Sequence, residues 1–154
     1  MIIYTTNMQA VILAGGFGTR LRLLTNTIPK PIADIEGWPF LEYQLEMLKK
    51  NGFRDFTLCA GYSGEMIEEY FGDGSGLGIN IIYSKDNTLL ETGGALKNAV
   101  RLLEDEFVLV YGDSFLYMDY RTLIKEKKLC VYVTDQRFYD IGIFDRLNNF
   151  RNVL

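Results

Sequence analysis

Short apolar runs alternate with amphipathic stretches along the chain. Five runs are rich in β-branched and other apolar side chains and are predicted to be strands. These runs are Gln9–Leu13, Asp55–Ala60, 79–84, Phe107–Tyr111 and 129–134. Runs that are almost continuously apolar are typical of strands covered by helices on both faces. The sheet is therefore predicted to be mainly parallel.

The amphipathic stretches predict helices between these strands. The stretch 39–50 begins with a proline and stops before an Asn-Gly pair, and both features are typical of helix ends. Its Leu41, Leu45 and Leu48 share one face, so this helix is expected to pack on the sheet. Further helices are expected at Gly64–Phe71, 93–103, 120–128 and 144–154. The alternation predicts an α/β fold with a Rossmann-like, doubly wound sheet.

The 154 residues are enough for one domain, which we place at 8–154, with 1–7 as an N-terminal extension. The absence of histidine excludes a Ser-His-Asp triad, a Cys-His dyad and a His-ligated zinc. The two cysteines lie in apolar runs and are predicted to be reduced core residues. Any acid, base or metal ligand must therefore be a carboxylate, lysine, tyrosine or water.

The charge balance argues against several classes of partner. Sixteen basic and twenty acidic residues give a net charge of −4, which disfavours a nucleic-acid-binding surface. No apolar run approaches the length that spans a bilayer, and the N-terminus lacks the features of a secretory signal. A cytoplasmic protein without membrane contacts is expected. Small anionic ligands stay open, because a few local donors can hold them.

The exit of the first strand carries the strongest chemical signal. Gly15, Gly16 and Gly18 follow that strand directly, at the sheet edge where open α/β folds bind ligands. Glycines there let backbone N–H groups approach an anion, and Arg20 adds a cation suited to phosphate oxygens. The spacing is neither that of a dinucleotide-binding loop nor that of a P-loop. Downstream, flanking prolines fix the backbone on both sides of Lys30.

Five motifs in order resemble those of the sugar-1-phosphate nucleotidylyltransferases, also called nucleotide-sugar pyrophosphorylases. They are GGFGTRL at 15–21, PKP at 29–31, LETGGAL at 90–96, YGDS at 111–114 and FYDIG at 138–142. The last two motifs are most similar to the branch of heptose- and mannose-1-phosphate guanylyltransferases. The resemblance implies a Mg²⁺-dependent transfer of a nucleoside monophosphate from a nucleoside triphosphate, with GTP favoured, to a sugar 1-phosphate, which releases pyrophosphate.

The resemblance also implies a role for each motif. Arg20 and the loop amides are expected at the β- and γ-phosphates, Lys30 at the charge developing between the α-phosphate and the sugar phosphate, and Asp113 with Asp140 at the metal. Both acids adjoin apolar residues, where a carboxylate needs a counter-charge. The attacking phosphate oxygen is already an anion, so the reaction needs no general base. The nucleotide-binding residues implied are Leu13, Gly15, Gly16, Gly18, Thr19, Asp86, Glu91, Thr92 and Gly93.

For two of these residues, the sequence leaves open how they would contact the nucleotide base. Glu91 stands where many family members have glycine, so contacts between backbone and base are expected to differ. Asp86 is either an acceptor for the N1–H and N2 amino donors of guanine or an exposed loop residue.

The acceptor half of the chain is shorter than the family pattern. Only 26 positions separate Asp113 from Asp140, where family members have several dozen residues that bind the sugar phosphate. Three explanations stay open: a deletion that retains nucleotide binding, an acceptor site borrowed from a second subunit, or a sequence that joins two pieces of a longer protein. A nucleotide-binding or interaction module without turnover is the alternative function. An exposed acceptor side would leave apolar surface, which favours homo-oligomers.

Overall fold

The computed structural model describes residues 6–15, 28–61, 64–85 and 90–120, together with the backbone of 138–140. The strands in chain order are β1 (Gln9–Leu13), β2 (Asp34–Ile35), β3 (Trp38–Pro39), β4 (Asp55–Ala60), β5 (Asn80–Lys85), β6 (Phe107–Tyr111), β7 (Ser114–Leu116) and β8 (Phe138–Asp140). The α-helices are α1 (Phe40–Lys50), α2 (Gly64–Phe71) and α3 (Thr92–Ala99), and 3-10 turns lie at Lys30–Ile32, Ser75–Leu77 and Val100–Leu102.

Four strands form a parallel sheet in the order β5-β4-β1-β6. The prediction of an α/β, Rossmann-like and mainly parallel sheet is confirmed. From β1 the chain adds β4 and β5 on one side and then returns to place β6 on the other side. The order of strands thus reverses beside β1, and the crevice at the carboxyl ends of β1 and β6 is where such sheets bind ligands.

Helices cover the two faces of this sheet unequally. Ala10 and Ile12 of β1 share one buried cluster with side chains of α1 and α2, whereas Val11 packs with Cys59 and with Ala99 of α3. Coverage on both faces, as the apolar runs predicted, holds for β1 and β4. It does not hold for the two edge strands: the burial of β5 alternates, and β6 has only half-buried and exposed positions. Each of them has a neighbouring strand on one side only, and α3 contacts β5 at its carboxyl end, where Asn98 donates to the Ser84 hydroxyl and the Lys85 carbonyl.

The predicted element bounds are close to the observed ones. Strands β1, β4 and β6 and helix α2 have the predicted limits, and β5 is shifted by one residue. Pro39 occupies the position before the first turn of α1, and α3 begins at Thr92 and changes to a 3-10 turn at Val100. The predicted strand 129–134 and helix 144–154, and the predicted helix after Tyr120, lie outside the described residues.

Within the described ranges, no helix has both the length and the apolar character needed to cross a bilayer. The longest of them, α1, has 11 residues.

Two small antiparallel pairs were not predicted. β2 and β3 form a hairpin between the Lys30–Ile32 turn and α1. β7 pairs with β8, and the register sets Ser114 opposite Asp140 and Leu116 opposite Phe138. This second pair brings a distant segment of the chain against the residues that follow Asp113.

Helix α1 carries a buried acid that provides a pH test of the fold. Glu42 is buried and accepts a hydrogen bond from the hydroxyl of Tyr70 on α2 at 3.2 Å. Burial is the main cause that raises the pKa of this carboxyl, so folding disfavours its charged form. A raised acid pKa means that the free energy of unfolding falls as the pH rises through that pKa.

We therefore expect Glu42→Gln to stabilise the protein at pH 7 and to lose most of this advantage near pH 4, where the carboxyl is mostly protonated in both states. The expected gain in melting temperature at pH 7 is about 1–3 °C. Thermal unfolding at both pH values measures it. An equal gain at pH 4 would show that the charge of Glu42 is not the cause.

Candidate active site

A cleft of about 710 Å³ opens at the carboxyl ends of the parallel strands. Its walls come from the ends of β1, β4 and β6, from the turn at Lys30 and from the start of α3. The lining residues are Leu13, Ala14, Gly15, Lys30, Pro31, Cys59, Leu90, Glu91, Thr92, Gly93, Ala95, Tyr111, Gly112 and Asp113. The cleft therefore lies at the reversal point of the sheet, as expected for a ligand site of a doubly wound fold.

Glycines at the strand ends let three backbone segments converge at the cleft. A Cβ atom at Gly15 would lie 2.8 Å from the amide nitrogen of Gly61, just after β4. A Cβ atom at Gly112 would lie 2.8 Å from the carbonyl oxygen of Leu13, which accepts a hydrogen bond from the Gly112 amide at 2.9 Å. Side chains at Gly15 or Gly112 would push these backbones apart. Close approach, rather than an unusual backbone angle, is what requires glycine here.

Asp113 lies in the turn between β6 and β7 and presents its carboxylate to the cleft. The side chain is 42% exposed, and its Oδ2 is 3.6 Å from the Nζ of Lys30. Its Oδ1 accepts a hydrogen bond from the Ser114 hydroxyl at 3.2 Å. The carboxylate thus has a cation on one oxygen and a hydroxyl on the other, with part of its surface open to a ligand.

Lys30 is held by the backbone around it. It begins a 3-10 turn that Pro29 precedes in an extended conformation, and Pro31 follows it. The carbonyl of Lys30 accepts a hydrogen bond from the Ala33 amide at 3.0 Å. The side chain of Lys30 is only 13% exposed, so its ammonium group is directed into the cleft. This placement agrees with the effect predicted for the two flanking prolines.

The backbone of Asp140 lies on the strand that pairs with β7, opposite Ser114 and next in register to Asp113. Residues directly opposite in an antiparallel pair have Cα atoms about 4.5–5.5 Å apart. The backbone of Asp140, at the end of β8, is therefore one register position from Asp113, which lies in the turn directly before β7.

Helix α3 begins at the cleft. Glu91 precedes its first turn, and within the described part of the chain no side chain caps the free amides there. Thr92 and Gly93 of this first turn line the cleft, and a Cβ atom at Gly93 would meet nothing within 4 Å. Free amides at a helix start favour negatively charged or oxygen-rich ligand groups.

The structure brings together seven of the predicted site residues, all of which line the cleft: Leu13, Gly15, Lys30, Glu91, Thr92, Gly93 and Asp113. Five others, together with the side chain of Asp140, lie outside the residues that the structure describes: Gly16, Gly18, Thr19, Arg20 and Asp86.

Seven residues that line the cleft were not among the predicted site residues: Ala14, Pro31, Cys59, Leu90, Ala95, Tyr111 and Gly112. Cys59 is buried at the end of a central strand and gave no signal beyond its apolar neighbours. Tyr111 is 52% exposed although it ends an apolar strand, and Gly112 separates that strand from an acid. Gly112 lies between β6 and Asp113, and a glycine in that position was the signal in the sequence that could have identified this turn as part of the site.

The donor set in the cleft is suited to a hard metal ion brought by a ligand. Among the described side chains, no three His, Cys, Asp or Glu residues come together in a way that could hold a metal. Asp113 nevertheless offers a partly exposed carboxylate in a cleft with free amides. Mg²⁺ is commonly bound through one or two carboxylates, waters and substrate phosphates rather than by a cage of protein ligands. The residues present fit that mode.

Comparison with known proteins gives the ancestry of the chain. The model of the nucleotidyl transferase family matches residues 9–130, which is more than half of the chain. The D-glycero-alpha-D-manno-heptose 1-phosphate guanylyltransferase of Campylobacter jejuni is 42% identical over 134 residues, which cover 86% of this chain and 60% of that protein. The N-acetylmuramate alpha-1-phosphate uridylyltransferase of Neisseria meningitidis is 41% identical over 115 residues, which cover 73% of this chain and 50% of that protein.

A solved structure shows the same architecture. HddC from Yersinia pseudotuberculosis, complexed with GMP-PN, superposes with a TM-score of 0.69 at 35% identity, covering 77% of this chain and 53% of that one. The chain spans about half to 60% of the length of the relatives it matches. The family match, the identities and the shared fold confirm the predicted resemblance: the chain belongs to the nucleotidyl transferase family, with relatives among the sugar-1-phosphate nucleotidylyltransferases.

Proposed function

We propose that this protein transfers a nucleoside monophosphate from a nucleoside triphosphate to a sugar 1-phosphate, with release of pyrophosphate. The observation that carries this proposal is the facing pair of Lys30 and Asp113 in a cleft at the reversal point of a nucleotidyl transferase sheet. In this reaction a phosphate oxygen attacks the α-phosphorus, a new O–P bond forms there, and the bond to the pyrophosphate oxygen breaks. The protein must supply position and charge neutralisation.

Different residues of the cleft supply the positioning and the charge neutralisation. Lys30 neutralises charge that develops between the α-phosphate and the incoming sugar phosphate, because its ammonium group is held in the cleft and is little exposed to water. Arg20 and the amides of the loop after Gly15 bind the β- and γ-phosphates. Thr92 and Gly93 contribute the backbone amides of the first turn of α3 to nucleotide binding, and Glu91 lies beside them at the amino end of the helix.

Enzymes of this family generally depend on a divalent metal ion, and we propose Mg²⁺ held by Asp113 together with Asp140. Mg²⁺ would offset negative charge on the phosphate oxygens as the α-phosphorus is attacked. The exposure of Asp113 supports this role: 42% of its side-chain surface remains open to a metal ion although Lys30 lies 3.6 Å away.

For the substrates, we propose GTP and a heptose or hexose 1-phosphate. The support is similarity to the heptose 1-phosphate guanylyltransferase of Campylobacter jejuni. A relative of nearly the same identity is a uridylyltransferase, so the base must be tested directly.

The test is pyrophosphate release by the full chain with Mg²⁺, each of four nucleoside triphosphates and a panel of sugar 1-phosphates. We expect release with GTP that requires one class of sugar 1-phosphate. Nucleotide binding without pyrophosphate release on any sugar would overturn the proposal, and would favour a module that binds nucleotide without turnover.

Replacing Lys30 by methionine should lower the transfer rate about 10²-fold, the usual cost of removing one donor aimed at a developing charge. Steady-state kinetics of Lys30→Met measure this loss. Lys49→Met is the matched control, since Lys49 pairs with Glu46 at 3.0 Å on the outer part of α1 and does not line the cleft. Equal rates in both variants would remove Lys30 from the mechanism.

A further inference from the structure

Helix α1 carries a fully buried glutamine on the face that packs on the core. Gln44 is fully buried and is three residues from Leu41 and four from Leu48, so it lies on the face that packs on the core. A glutamine at such a position loses its hydration and is expected to have a specific partner.

The partners of Gln44 are the two carbonyls that flank the Asp113 turn. Its amide nitrogen donates to the carbonyl oxygen of Tyr111 at 2.8 Å and to that of Ser114. Both N–H bonds of the amide are thereby used, and two carbonyl acceptors fix which end of the amide faces the turn. Gly112 and Asp113 are the two residues between these carbonyls, so one side chain closes the turn across its base.

The other end of the same amide is unsatisfied. The Oε1 atom of Gln44 is buried and has no hydrogen-bond partner in the part of the chain that the structure describes. A buried acceptor without a partner costs free energy, and an apolar side chain of the same shape would avoid that cost at this atom. A core residue that lowers the free energy of unfolding is expected where the residue has a functional role.

Two further contacts join the two ends of α1 to the segment that follows the turn. The ring of Phe40 packs edge-on against Phe115 at 6.3 Å, and the Oδ1 atom of Asn51 accepts a hydrogen bond from the Tyr120 amide at 2.9 Å. On the opposite side, the Gly112 amide donates to Leu13 of β1. The turn is therefore held between β1 and α1. Gln44 is the side chain of α1 that donates hydrogen bonds to the turn itself.

From this geometry we propose that Gln44 is a positioning residue for Asp113: its amide holds the Tyr111–Ser114 turn so that the carboxylate is oriented to receive the metal ion. This inference rests on the proposed function. Groups that orient metal ligands typically change metal affinity or activity 10–100-fold when they are removed.

The test compares Gln44→Met with Gln9→Met. Gln9 is also a buried glutamine that donates two hydrogen bonds, at 2.9 Å each, to Thr57 and to the Leu102 carbonyl, but it lies at the amino end of β1. Gln44→Met removes two hydrogen bonds, whereas Gln9→Met removes three, because the Oε1 atom of Gln9 also accepts from the Glu104 amide at 3.1 Å. Gln9→Met should therefore lower the melting temperature at least as much as Gln44→Met does. Gln44→Glu is a second variant, since a buried neutral carboxyl keeps the shape and one donor.

The first measurement is amide hydrogen exchange of the Tyr111–Ser114 turn without ligands. We expect exchange at Gly112 to become about tenfold faster in Gln44→Met, less so in Gln44→Glu, and to be unchanged in Gln9→Met. The second is the Mg²⁺ concentration that half-saturates GTP binding, which should rise about 10–100-fold in Gln44→Met alone. Equal behaviour of Gln44→Met and Gln9→Met in the exchange experiment would overturn the positioning role.

The two proposals can fail separately. If the wild-type protein binds no Mg²⁺–nucleotide, the proposed function is wrong, and hydrogen exchange alone decides whether Gln44 holds the turn. If the wild-type protein binds Mg²⁺–nucleotide and releases pyrophosphate, and the Mg²⁺ requirement of Gln44→Met equals that of wild type, the proposed function stands and the positioning role is rejected.

Discussion

Replacing Asp113 by asparagine should lower the transfer rate about 10³-fold, equivalent to ~4 kcal/mol of transition-state stabilisation, while the protein stays folded. Asparagine has nearly the same shape but no charge, so it loses attraction both for Mg²⁺ and for Lys30, which lies 3.6 Å from the carboxylate. The side chain is 42% exposed, so its contribution to the free energy of unfolding is small. Pyrophosphate release and thermal unfolding of Asp113→Asn measure the two effects.

The control for this variant is Asp105→Asn. Asp105 is an exposed acid that precedes β6 at the opposite end of the strand from the cleft. It should have wild-type activity. If Asp113→Asn retained more than a tenth of wild-type activity, the Asp113 carboxylate would not be a ligand of the metal ion.

Adding a single methyl group at Gly112 should both destabilise the fold and weaken nucleotide binding. The Cβ atom of Gly112→Ala would lie 2.8 Å from the Leu13 carbonyl oxygen and 3.1 Å from the Cα atom of Ala14, and both are backbone atoms at the end of β1. Such overpacking typically costs about 1–3 kcal/mol of unfolding free energy. The turn must move away from β1 and carries Asp113 with it, and a displacement of about 1 Å in a site can cost 10²-fold.

Chemical unfolding and titration with Mg²⁺–GTP measure both effects. Gly15→Ala should behave in the same way, because its Cβ atom would meet the backbone of Gly61. Gly76→Ala is the matched control: its Cβ atom would meet nothing within 4 Å and it lies in a surface 3-10 turn. Its stability should change by no more than about 0.5 kcal/mol. Wild-type stability in Gly112→Ala would contradict the close approach of β1 and β6.

The elements that the sequence predicts well are those with a strong local signal. β1, β4 and β6 are short, almost continuously apolar runs, and their observed bounds equal the predicted ones. The chemistry at their ends follows from topology, because parallel strands bring their carboxyl ends to one edge of the sheet. The sequence alone therefore predicts that Gly15 and Asp113 lie near one another.

Elements that depend on long-range pairing could not be predicted. β7 and β8 have three residues each, and neither has a local pattern that distinguishes it from a loop. Their pairing is what carries Asp140 beside Ser114, and in the sequence this relation was implied solely by the family resemblance. The partial exposure of β5 was likewise missed, since an apolar run does not show whether a strand lies at an edge.

Gln44 illustrates a signal that was present but not used. The apolar face of α1 was predicted from its leucines, and Gln44 interrupts that face. A pattern of this kind indicates that a buried polar group needs a partner. It does not show which partner, because the Tyr111 and Ser114 carbonyls lie 67 and 70 positions further along the chain.

The most direct test of the account is a crystal structure of the full chain with Mg²⁺ and a non-hydrolysable GTP analogue. We expect the triphosphate in the cleft between the ends of β1 and β6, and Mg²⁺ about 2.1 Å from carboxylate oxygens of Asp113 and Asp140. A nucleotide bound elsewhere, or a metal ion that contacts neither acid, would contradict the account.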